Sequence, residues 1–278
     1  MTPARRYVVT GAAGFIGSHL TEALLARGDD VVAVDSFTDY YEPTLKEENA
    51  EGFDVERVDL NDAPLEELFA DAAGIFHLAA QPGVRPSFHD LDTYLRRNVL
   101  ATQRVLEASG ARVVFASSSS IYGNRPELPL RETMAPDPIS PYGVAKLAAE
   151  RYCVSFTRVY HSFETVVLRY FNVFGPRQDP RSQYAAVVPL FVTAIAAGEP
   201  VTIFDDGEQS RDFTYVDNVV AANLLAGDAA GVSGRIFNVS SGAPATVNEL
   251  ADTIGRLLGK PVERRYLPPR PGDLRNSW

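Results

Sequence analysis

Short apolar runs alternate with longer segments of helical spacing along the first 170 residues. Residues 6–10 form the first apolar run, residues 18–27 show helical spacing up to Gly28, and residues 30–34 form a second apolar run that closes on Asp35. Regular alternation of this kind predicts an α/β fold with a parallel, doubly wound, Rossmann-like sheet that binds ligands at the carboxyl ends of its strands. Further apolar runs predict strands at residues 53–58, 74–79, 112–116 and 165–169, and helical spacing predicts a helix at residues 91–109.

A glycine-rich turn follows the first predicted strand. Gly11, Gly14 and Gly17 are spaced so that the backbone can turn tightly, approach a pyrophosphate and pack the next helix against the strand. Asp35 ends the second strand, where a carboxylate accepts hydrogen bonds from an adenosine ribose and repels a 2′-phosphate, which favours NAD over NADP. Asp59 ends the third strand, where it either meets an adenine edge or is a solvated loop acid. The pattern predicts a dinucleotide site.

A second candidate site combines a serine run with a tyrosine and a lysine. Residues 117–120 are serines behind the fifth predicted strand, and Tyr142 and Lys146 are four residues apart after Pro141, a residue that often opens a helix. The phenol and the ammonium then share one helix face. The ammonium, like a nicotinamide cation, favours the phenolate that takes a proton from a hydroxyl. Such a pair also arises by chance in an amphipathic helix with an exposed lysine; the glycine turn and Asp35 favour the catalytic interpretation.

The alternation becomes irregular after residue 170. Residues 175–181 are rich in Pro, Arg, Gln and Asp, residues 184–197 predict a helix, and residues 235–239 predict a strand that returns to the sheet. Thr246 and Glu249 form a capping-box pattern that opens a last helix. We expect a dinucleotide-binding domain at residues 1–170, to which residues 212–242 return, and a smaller C-terminal substrate-binding domain at residues 171–211 and 243–278.

Composition narrows the class of protein. The chain has 278 residues, 45% hydrophobic and 22% charged, enough for one large or two fused domains. A net charge of −10 argues against nucleic acid or an anionic membrane as the principal partner. No apolar run approaches the ~20 residues of a membrane span, and residues 1–6 lead straight into a strand, so we expect a cytoplasmic protein. Cys153 is the only cysteine and the histidines lack metal-ligand spacing, so we expect no disulfide and no metal.

Several motifs follow one another along essentially the whole chain: residues 11–17, Asp35, His77-Leu-Ala-Ala80, residues 117–123, Tyr142 with Lys146, and Arg169-Tyr-Phe-Asn172. Together they resemble the extended short-chain dehydrogenase/reductases that act on nucleotide sugars, with the UDP-hexose 4-epimerases as the nearest match. The resemblance implies that NAD stays bound, that Tyr142 takes the proton of the sugar 4-hydroxyl, that Lys146 tunes Tyr142 and holds the nicotinamide ribose, and that Ser118 bonds the sugar oxygen. The residues it implies for NAD are Gly11, Gly14, Phe15, Ile16, Gly17, Asp35, Asp59, Leu60, Leu78, Ala79, Ala80, Tyr142, Lys146 and Tyr170.

The same resemblance implies a UDP-sugar site in the smaller domain. Read alone, Arg211 and Arg270 are ordinary surface arginines; by resemblance they clamp the substrate diphosphate, which suits a forked guanidinium. Asn172 then bonds the diphosphate or the uridine, Asp273 takes the uridine ribose, and Phe204 stacks on uracil. The residues implied for substrate are Ser118, Ser119, Ser120, Asn172, Val188, Phe204, Arg211, Arg270, Asp273 and Ser277.

The identity of the sugar is indicated by a few positions. Ser277 matches the family position where a bulky residue excludes, and a small one admits, a 2-acetamido group, so UDP-GlcNAc or UDP-GalNAc should fit, with UDP-glucose as a further candidate. Residues 175–189 also resemble epimerases of N-acetylated hexoses. Residues 82–85 resemble UDP-glucuronate 4-epimerases, but Asn172 and Asp179 stand where those enzymes place a threonine and an arginine for the carboxylate.

The outcome of the reaction stays open between epimerisation and dehydration. A 4-keto sugar has an acidified C5 hydrogen and can lose its C6 hydroxyl. Family 4,6-dehydratases use an Asp-Glu pair for this where the chain has Ser119 and Ser120, which cannot serve as carboxylate acid and base. That favours an epimerase. Tyr142, or Cys153 if it faces the pocket, could still move the C5 proton, and the chain weakly resembles the UDP-GlcNAc 5,6-dehydratase of tunicamycin biosynthesis.

Three further expectations complete the picture. A non-catalytic NAD-binding regulator on the same fold would be expected to lose the serine, tyrosine or lysine, and the chain keeps all three. The chain stops at Trp278, inside a motif after which relatives usually continue, so we expect a further C-terminal segment. Family members often pair helices, so we expect a homodimer.

Overall fold

The computed structural model describes residues 4–40, 42–180, 186–270 and 273–278. Its strands are β1 Arg6–Thr10, β2 Asp30–Asp35, β3 Val55–Arg57, β4 Gly74–His77, β5 Arg112–Ser118, β6 Thr165–Tyr170, β7 Asn172–Phe174, β8 Val201–Phe204, β9 Ser210–Tyr215, β10 Arg235–Val239, β11 Pro244–Thr246, β12 Arg264–Leu267 and β13 Asn276–Ser277. Its α-helices are α1 Phe15–Ala26, α2 Pro43–Asn49, α3 Leu65–Leu68, α4 Leu91–Tyr94, α5 Ala101–Ala108, α6 Pro141–Val159, α7 Val187–Ala197, α8 Val216–Asp228 and α9 Val247–Leu258. None of these helices is long and apolar enough to cross a membrane.

Seven strands form one parallel sheet in the order β10-β6-β5-β4-β1-β2-β3. The strand order reverses between β1 and β4, because β2 and β3 lie on one side of this point and β5 and β6 on the other. A reversal of this kind leaves a crevice at the carboxyl ends of the two strands. β10 pairs in parallel with β6 over its full length, as predicted for residues 235–239. The predicted α/β, Rossmann-like fold is therefore confirmed.

Helices cover both faces of the large sheet. Leu20 of α1 and Val219 of α8 belong to the apolar core on one face. Val105 of α5 and Cys153 of α6 belong to the core on the other face. Because both faces are covered, the central strands β1, β4, β5 and β6 are mostly apolar runs rather than alternating ones, which is why they could be recognised in the sequence.

Several boundaries differ from the sequence prediction. α1 begins at Phe15 rather than at residue 18, because the extended Gly14 is its N-cap and the last glycine of the turn lies inside the helix. β4 ends at His77, two residues before the predicted end, and β5 continues to Ser118, two residues beyond it. The helix predicted for residues 184–197 begins at Val187, and residues 184 and 185 lie outside the described residues.

The helix predicted for residues 91–109 is interrupted by a π-helical turn. Residues Leu95–Leu100 form this turn between α4 and α5. Within it the buried Asn98 bonds the backbone of Gln81: its Oδ1 accepts from the Gln81 amide at 2.6 Å, and its Nδ2 donates to the Gln81 carbonyl at 3.0 Å. Such turns commonly occur at functional sites. Here the turn ties the helix to the loop that follows β4.

The remaining strands form two small sheets. β9 pairs with β7, β11 and β13, and β8 pairs with β12. α7 and α9 pack beside β8 around a third core that contains Phe191, Val201 and Ile254. The predicted capping box is present at the start of α9, where Thr246 and Glu249 bond each other's backbone amides. Residues 212–242 were expected to return to the large sheet. Residues 212–215 instead belong to β9 in a small sheet, whereas α8 and β10 do return to the large one. The domain boundaries stay a prediction.

Candidate active site

A cleft opens at the carboxyl ends of β1 and β4, where the strand order reverses. It extends along the glycine turn to the N-terminal part of α6. Every residue expected to bind the cofactor lines this one cleft: Gly11, Gly14, Phe15, Ile16, Gly17, Asp35, Asp59, Leu60, Leu78, Ala79, Ala80, Tyr142, Lys146 and Tyr170.

The glycine turn is so tight that its first and last glycines, Gly11 and Gly17, leave no room for a side chain. A Cβ on Gly17 would lie 2.0 Å from the carbonyl oxygen of Gly11. Gly11 itself has a φ of +74°, and a Cβ there would lie 2.8 Å from the amide of Ala79. The backbone of β1, the turn and the loop after β4 therefore approach each other closely at the start of α1. This leaves the helix N-terminus free to receive an anion.

Asp35 is buried at one end of the cleft and is held by three donors. Its carboxylate accepts hydrogen bonds from the amides of Ala13 at 3.2 Å and Phe37 at 2.8 Å, and from Lys46 Nζ at 2.8 Å. Lys46 belongs to α2. Asn49 lies one turn further along this helix, is also buried, and donates to the Ala13 carbonyl at 3.1 Å. Sequence reasoning missed α2 and its Lys46. The sequence did contain a signal for this helix. Pro43 is a residue that often opens a helix, and the polar residues Lys46 and Asn49 follow it at intervals of three.

Tyr142 and Lys146 lie on one face of α6, as their spacing predicts. Pro141 is at the first position of the helix, and the Ser140 side chain caps it by accepting from the Gly143 amide at 3.1 Å. Lys146 Nζ donates to the carbonyl of Ala116 at the end of β5, at 2.9 Å. Tyr142 is hydrogen-bonded to Ser118, which follows Ala116 on the same strand end. The serine, tyrosine and lysine therefore come together, and Lys146 is buried rather than exposed.

Burial dominates the electrostatics of this group. Burial raises the pKa of Tyr142, and only its hydrogen bond to Ser118 opposes that rise. Burial also lowers the pKa of Lys146 to about 8. Desolvation dominates the pKa of Tyr142 in the protein without NAD, where the Lys146 ammonium donates to Ala116. That Lys146 and a nicotinamide cation together favour the phenolate stays a prediction. At neutral pH the lysine still carries its proton.

His77 anchors the loop beneath the cleft and was not assigned a role from the sequence. Its Nδ1 lies 2.8 Å from Thr10 Oγ1, and its Nε2 lies 3.0 Å from Thr102 Oγ1. Thr102 already donates to the Asn98 carbonyl at 2.7 Å, so Nε2 carries the imidazole proton and Nδ1 accepts from Thr10. Thr10 in turn accepts from the Ala79 amide at 3.2 Å. This chain of bonds fixes the loop that lines the cleft.

The residues expected to bind substrate fall into two groups. Near Tyr142, Ser118 donates to Ser120 at 3.1 Å, and Ser119 is buried in the short helical turn behind them. Asn172 opens β7, and Val188 lies in the first turn of α7.

The second group lies around β9 and β13. Arg270 bonds Asp273 at 2.9 Å, and its guanidinium carbon lies 3.7 Å from the ring centre of Phe204. The arginine therefore covers one face of the ring expected to stack on uracil. Arg211 donates to the carbonyl of Leu274 at 2.7 Å, and its pKa is lowered by burial. Ser277 is buried opposite Arg211 in the register of the two strands.

Cys153, which sequence reasoning allowed as a group that moves the C5 proton, does not line the cleft. Cys153 is wholly buried in the core beneath α6, and burial raises the pKa of its thiol, so it does not face the cleft. Across the described ranges, no three His, Cys, Asp or Glu side chains come together as a metal-binding group would require.

The cleft fits a dinucleotide. Three polar side-chain atoms that have no partner among the described residues belong to residues lining it: Asn61 Oδ1, Arg177 Nη1 and Gln178 Oε1. Buried polar atoms are normally paired, so these are positions for a bound molecule. The glycine turn supplies a cradle that any Cβ would fill, and Asp35 supplies an acceptor at one end.

The sheet order, the glycine cradle and the Ser118, Tyr142 and Lys146 group define a dinucleotide-dependent enzyme of the short-chain dehydrogenase/reductase type. Residues 7–240 match the model of a family described as the NAD dependent epimerase/dehydratase family. The chain belongs to this family, and its cofactor is NAD.

Known members of the family are similar along nearly the whole chain. The UDP-glucose 4-epimerase of Mycolicibacterium smegmatis is 41% identical over 98% of this chain and 88% of its own length. The UDP-N-acetylglucosamine 4-epimerase of Methanobrevibacter ruminantium, solved with UDP-N-acetylmuramic acid, superposes with a TM-score of 0.90 at 38% identity, over 99% of this chain and 89% of that one. The UDP-glucuronic acid 4-epimerase of Bacillus cereus, solved with UDP-glucuronic acid and NAD, gives a TM-score of 0.91 at 34% identity, over 98% and 89%.

Proposed function

We propose that the chain is an NAD-dependent UDP-sugar 4-epimerase that acts on UDP-GlcNAc and UDP-GalNAc. The observation that carries the proposal is the group of Ser118, Tyr142 and Lys146 at the end of a cleft with a glycine cradle and Asp35. Relatives that act on UDP-glucose, on UDP-N-acetylglucosamine and on UDP-glucuronic acid support the 4-epimerase reaction.

Each residue of the group has a chemical task. Tyr142 accepts the proton of the sugar 4-hydroxyl and later returns it, and Ser118 orients that hydroxyl through its bond to the phenol. Lys146 remains an ammonium below its pKa of about 8 and favours the phenolate when the sugar is bound. NAD, when bound, takes a hydride from C4 and gives it back to the opposite face of the 4-keto sugar. Asp35 holds the adenosine ribose at the other end.

Epimerisation rather than elimination is favoured by the side chains of the described site. Ser119 and Ser120 carry hydroxyls where a dehydratase needs carboxyl groups. Cys153, the remaining candidate for the C5 proton, is buried away from the cleft and has a raised thiol pKa. Of the two residues considered for removing the C5 proton, only Tyr142 remains, and epimerisation already requires it at the sugar 4-hydroxyl.

The preference for an N-acetylated sugar rests on side-chain size and charge. Ser277 is small, and a hydroxymethyl group at this position leaves room for a 2-acetamido group. Asn172 and Asp179 disfavour UDP-glucuronate, because neither supplies a cation for its carboxylate. UDP-glucose is the remaining alternative, since it needs less room than either N-acetylated sugar.

We also infer a homodimer. Large apolar side chains are exposed along α4, the π-helical turn and α6: Leu91 at 55%, Leu95 at 56%, Val144 at 54% and Tyr152 at 42%. An apolar patch of this kind is typical of a surface that packs against a second copy. Light scattering on the purified protein gives the mass that tests it.

The reaction is tested by incubating purified protein with UDP-GlcNAc and recording proton NMR. We expect the anomeric signal of the axial 4-hydroxyl product; olefinic signals would instead establish a dehydratase. Tyr142→Phe should abolish turnover while NAD stays bound, because only the proton acceptor is lost. Tyr160→Phe is the matched control, since this tyrosine lies at the C-terminal end of the same helix and is 56% exposed. Full activity of Tyr142→Phe would contradict the assignment.

A further inference from the structure

A short strap crosses the outer face of α1. It consists of residues 175–179, which follow β7. The carbonyl of Pro176 accepts from His19 Nε2 at 3.1 Å, and Arg177 Nη2 donates to Glu22 Oε1 at 2.6 Å. His19 and Glu22 are one turn apart on α1, the helix whose N-terminus lies at the glycine cradle. The strap is therefore fastened to the phosphate end of the cofactor cleft.

Arg177 has a second guanidinium nitrogen that this fastening does not use. Its Nη1 is buried and has no hydrogen-bond partner among the described residues, although Nη2 is fully engaged with Glu22. Arg177 lines the cleft together with Gly14, Phe15 and Ile16. A buried cationic N–H without an acceptor costs free energy unless a ligand satisfies it. Its backbone is also in the left-handed region, at φ +70°, a conformation that a non-glycine residue holds only when its surroundings enforce it.

The other cations that line the cleft already have partners. Lys46 is paired with Asp35, Lys146 with the Ala116 carbonyl, and Arg97 Nη1 donates to Gln81 Oε1 at 2.7 Å. The glycine cradle offers backbone amides and a helix N-terminus but no cationic side chain. Among the cations that line the cleft, Arg177 is therefore the one with a guanidinium nitrogen available to an anion bound at the glycine cradle.

We propose that Arg177 Nη1 binds the diphosphate of NAD from the side opposite the glycine cradle, while Glu22 positions the guanidinium. This inference extends the proposed function, because it supplies the contact that keeps NAD in place through repeated cycles of the epimerase. The diphosphate is enclosed between the backbone amides at the start of α1 and the strap.

The test is calorimetric binding of NAD, ADP-ribose and UDP to nucleotide-free protein. Arg177→Met should weaken NAD and ADP-ribose equally, by about ten- to a hundredfold, because a charge-assisted hydrogen bond to the diphosphate is lost. UDP binding should stay unchanged. Arg177→Lys, which keeps a cation, should lie between wild type and Arg177→Met. Thermal unfolding and circular dichroism of each variant confirm that it is folded.

A second variant separates the phosphate contact from the fastening of the strap. Glu22→Gln removes the ion pair to α1 but leaves the guanidinium, so it should weaken NAD much less than Arg177→Met. Equal losses for the two variants would overturn the inference, since the ion pair and not a phosphate contact would then matter. Unchanged NAD affinity in Arg177→Met, or a loss of UDP affinity instead, would also overturn it. These outcomes leave the test of Tyr142 untouched, so failure of the inference is distinguishable from failure of the proposed epimerase.

Discussion

The ion pair of Asp35 with Lys46 sits almost wholly out of water, with side-chain exposures of 5% and 7%. Removing one partner of a buried pair leaves an uncompensated charge, which typically lowers the free energy of unfolding by about 3–5 kcal/mol. We therefore expect Lys46→Met to be destabilised by about this amount, as measured by urea unfolding. NAD affinity should fall as well, because the carboxylate loses the donor that fixes its position.

The double variant Asp35→Asn with Lys46→Met distinguishes stability from cofactor binding. It removes both charges, so the unfolding free energy should recover relative to Lys46→Met alone. NAD affinity should not recover, because the ribose still lacks its carboxylate. Recovery of both properties together would mean that the pair acts on NAD only through stability.

Residues near one another in the sequence were predictable, and residues that depend on distant partners were not. The spacing of Tyr142 and Lys146 already places them on one helix face, and Asp35 ends a recognisable strand. The sequence could have revealed the helix that carries Lys46, but not the contacts of Lys46 and Arg177. Those contacts are with Asp35 and α1, which the fold alone brings to them. The raised pKa of Tyr142 could not be predicted from the sequence for the same reason, because burial is a property of the folded chain.

Among the elements, α6 and β6 are joined by a fully buried ion pair. Arg169 donates to both carboxylate oxygens of Glu150, at 3.0 and 2.6 Å, and Ser117 and Tyr122 complete the network. Glu150 lies one turn beyond Lys146 on α6. The pair therefore sets the register of α6 against the ends of β5 and β6.

Arg169→Met should lower the free energy of unfolding by about 3–5 kcal/mol, because Glu150 is left charged and unpaired in the core. The matched control is the double variant with Glu150→Met, in which both charges are gone and the loss should be smaller. Urea unfolding of the two variants measures the difference. A double variant less stable than Arg169→Met would contradict this account, because hydrogen bonds rather than charge compensation would then dominate.

The succession of strands that form the large sheet was predictable, whereas interruptions of helices were not. The helical spacing of residues 91–109 is consistent with an unbroken helix, and only the bonds of Asn98 to the Gln81 backbone explain the π-helical turn. Their partner lies in another part of the chain, so helical periodicity cannot reveal it. The starts of α6 and α9 were predictable because Pro141, Ser140 and the Thr246 capping box act locally.

At the scale of the whole molecule, the large sheet was predictable and the small sheets were not. The central strands β1, β4, β5 and β6 are almost wholly buried, and such strands leave a clear apolar pattern in the sequence. The small sheets consist of strands such as β7 and β13, which span three and two residues and pair with β9 from distant parts of the chain. Strands this short, paired with distant parts of the chain, produce no hydrophobic periodicity in the sequence.

The buried His77 makes the stability of the whole fold depend on pH. Desolvation, with a smaller contribution from the charge of Lys146, lowers the His77 pKa to about 3, against about 6.5 in an unfolded chain. Between these values the unfolded chain binds a proton that the folded protein does not. This stabilisation is therefore fully present above pH 6.5 and is lost as the pH falls towards 3. One proton corresponds to about 1.4 kcal/mol per pH unit.

Urea unfolding of wild type and His77→Gln between pH 6.5 and pH 5 tests this dependence. Glutamine keeps a donor and an acceptor for Thr10 and Thr102 but does not titrate in this range. The unfolding free energy of wild type should fall more steeply than that of the variant, by about 1.4 kcal/mol per pH unit. Carboxylates titrate in both proteins and cancel in the difference. Parallel pH profiles would mean that His77 is protonated in the folded protein, and the bond from Thr10 to Nδ1, which orders the loop along the NAD cleft, would then have to be reassigned.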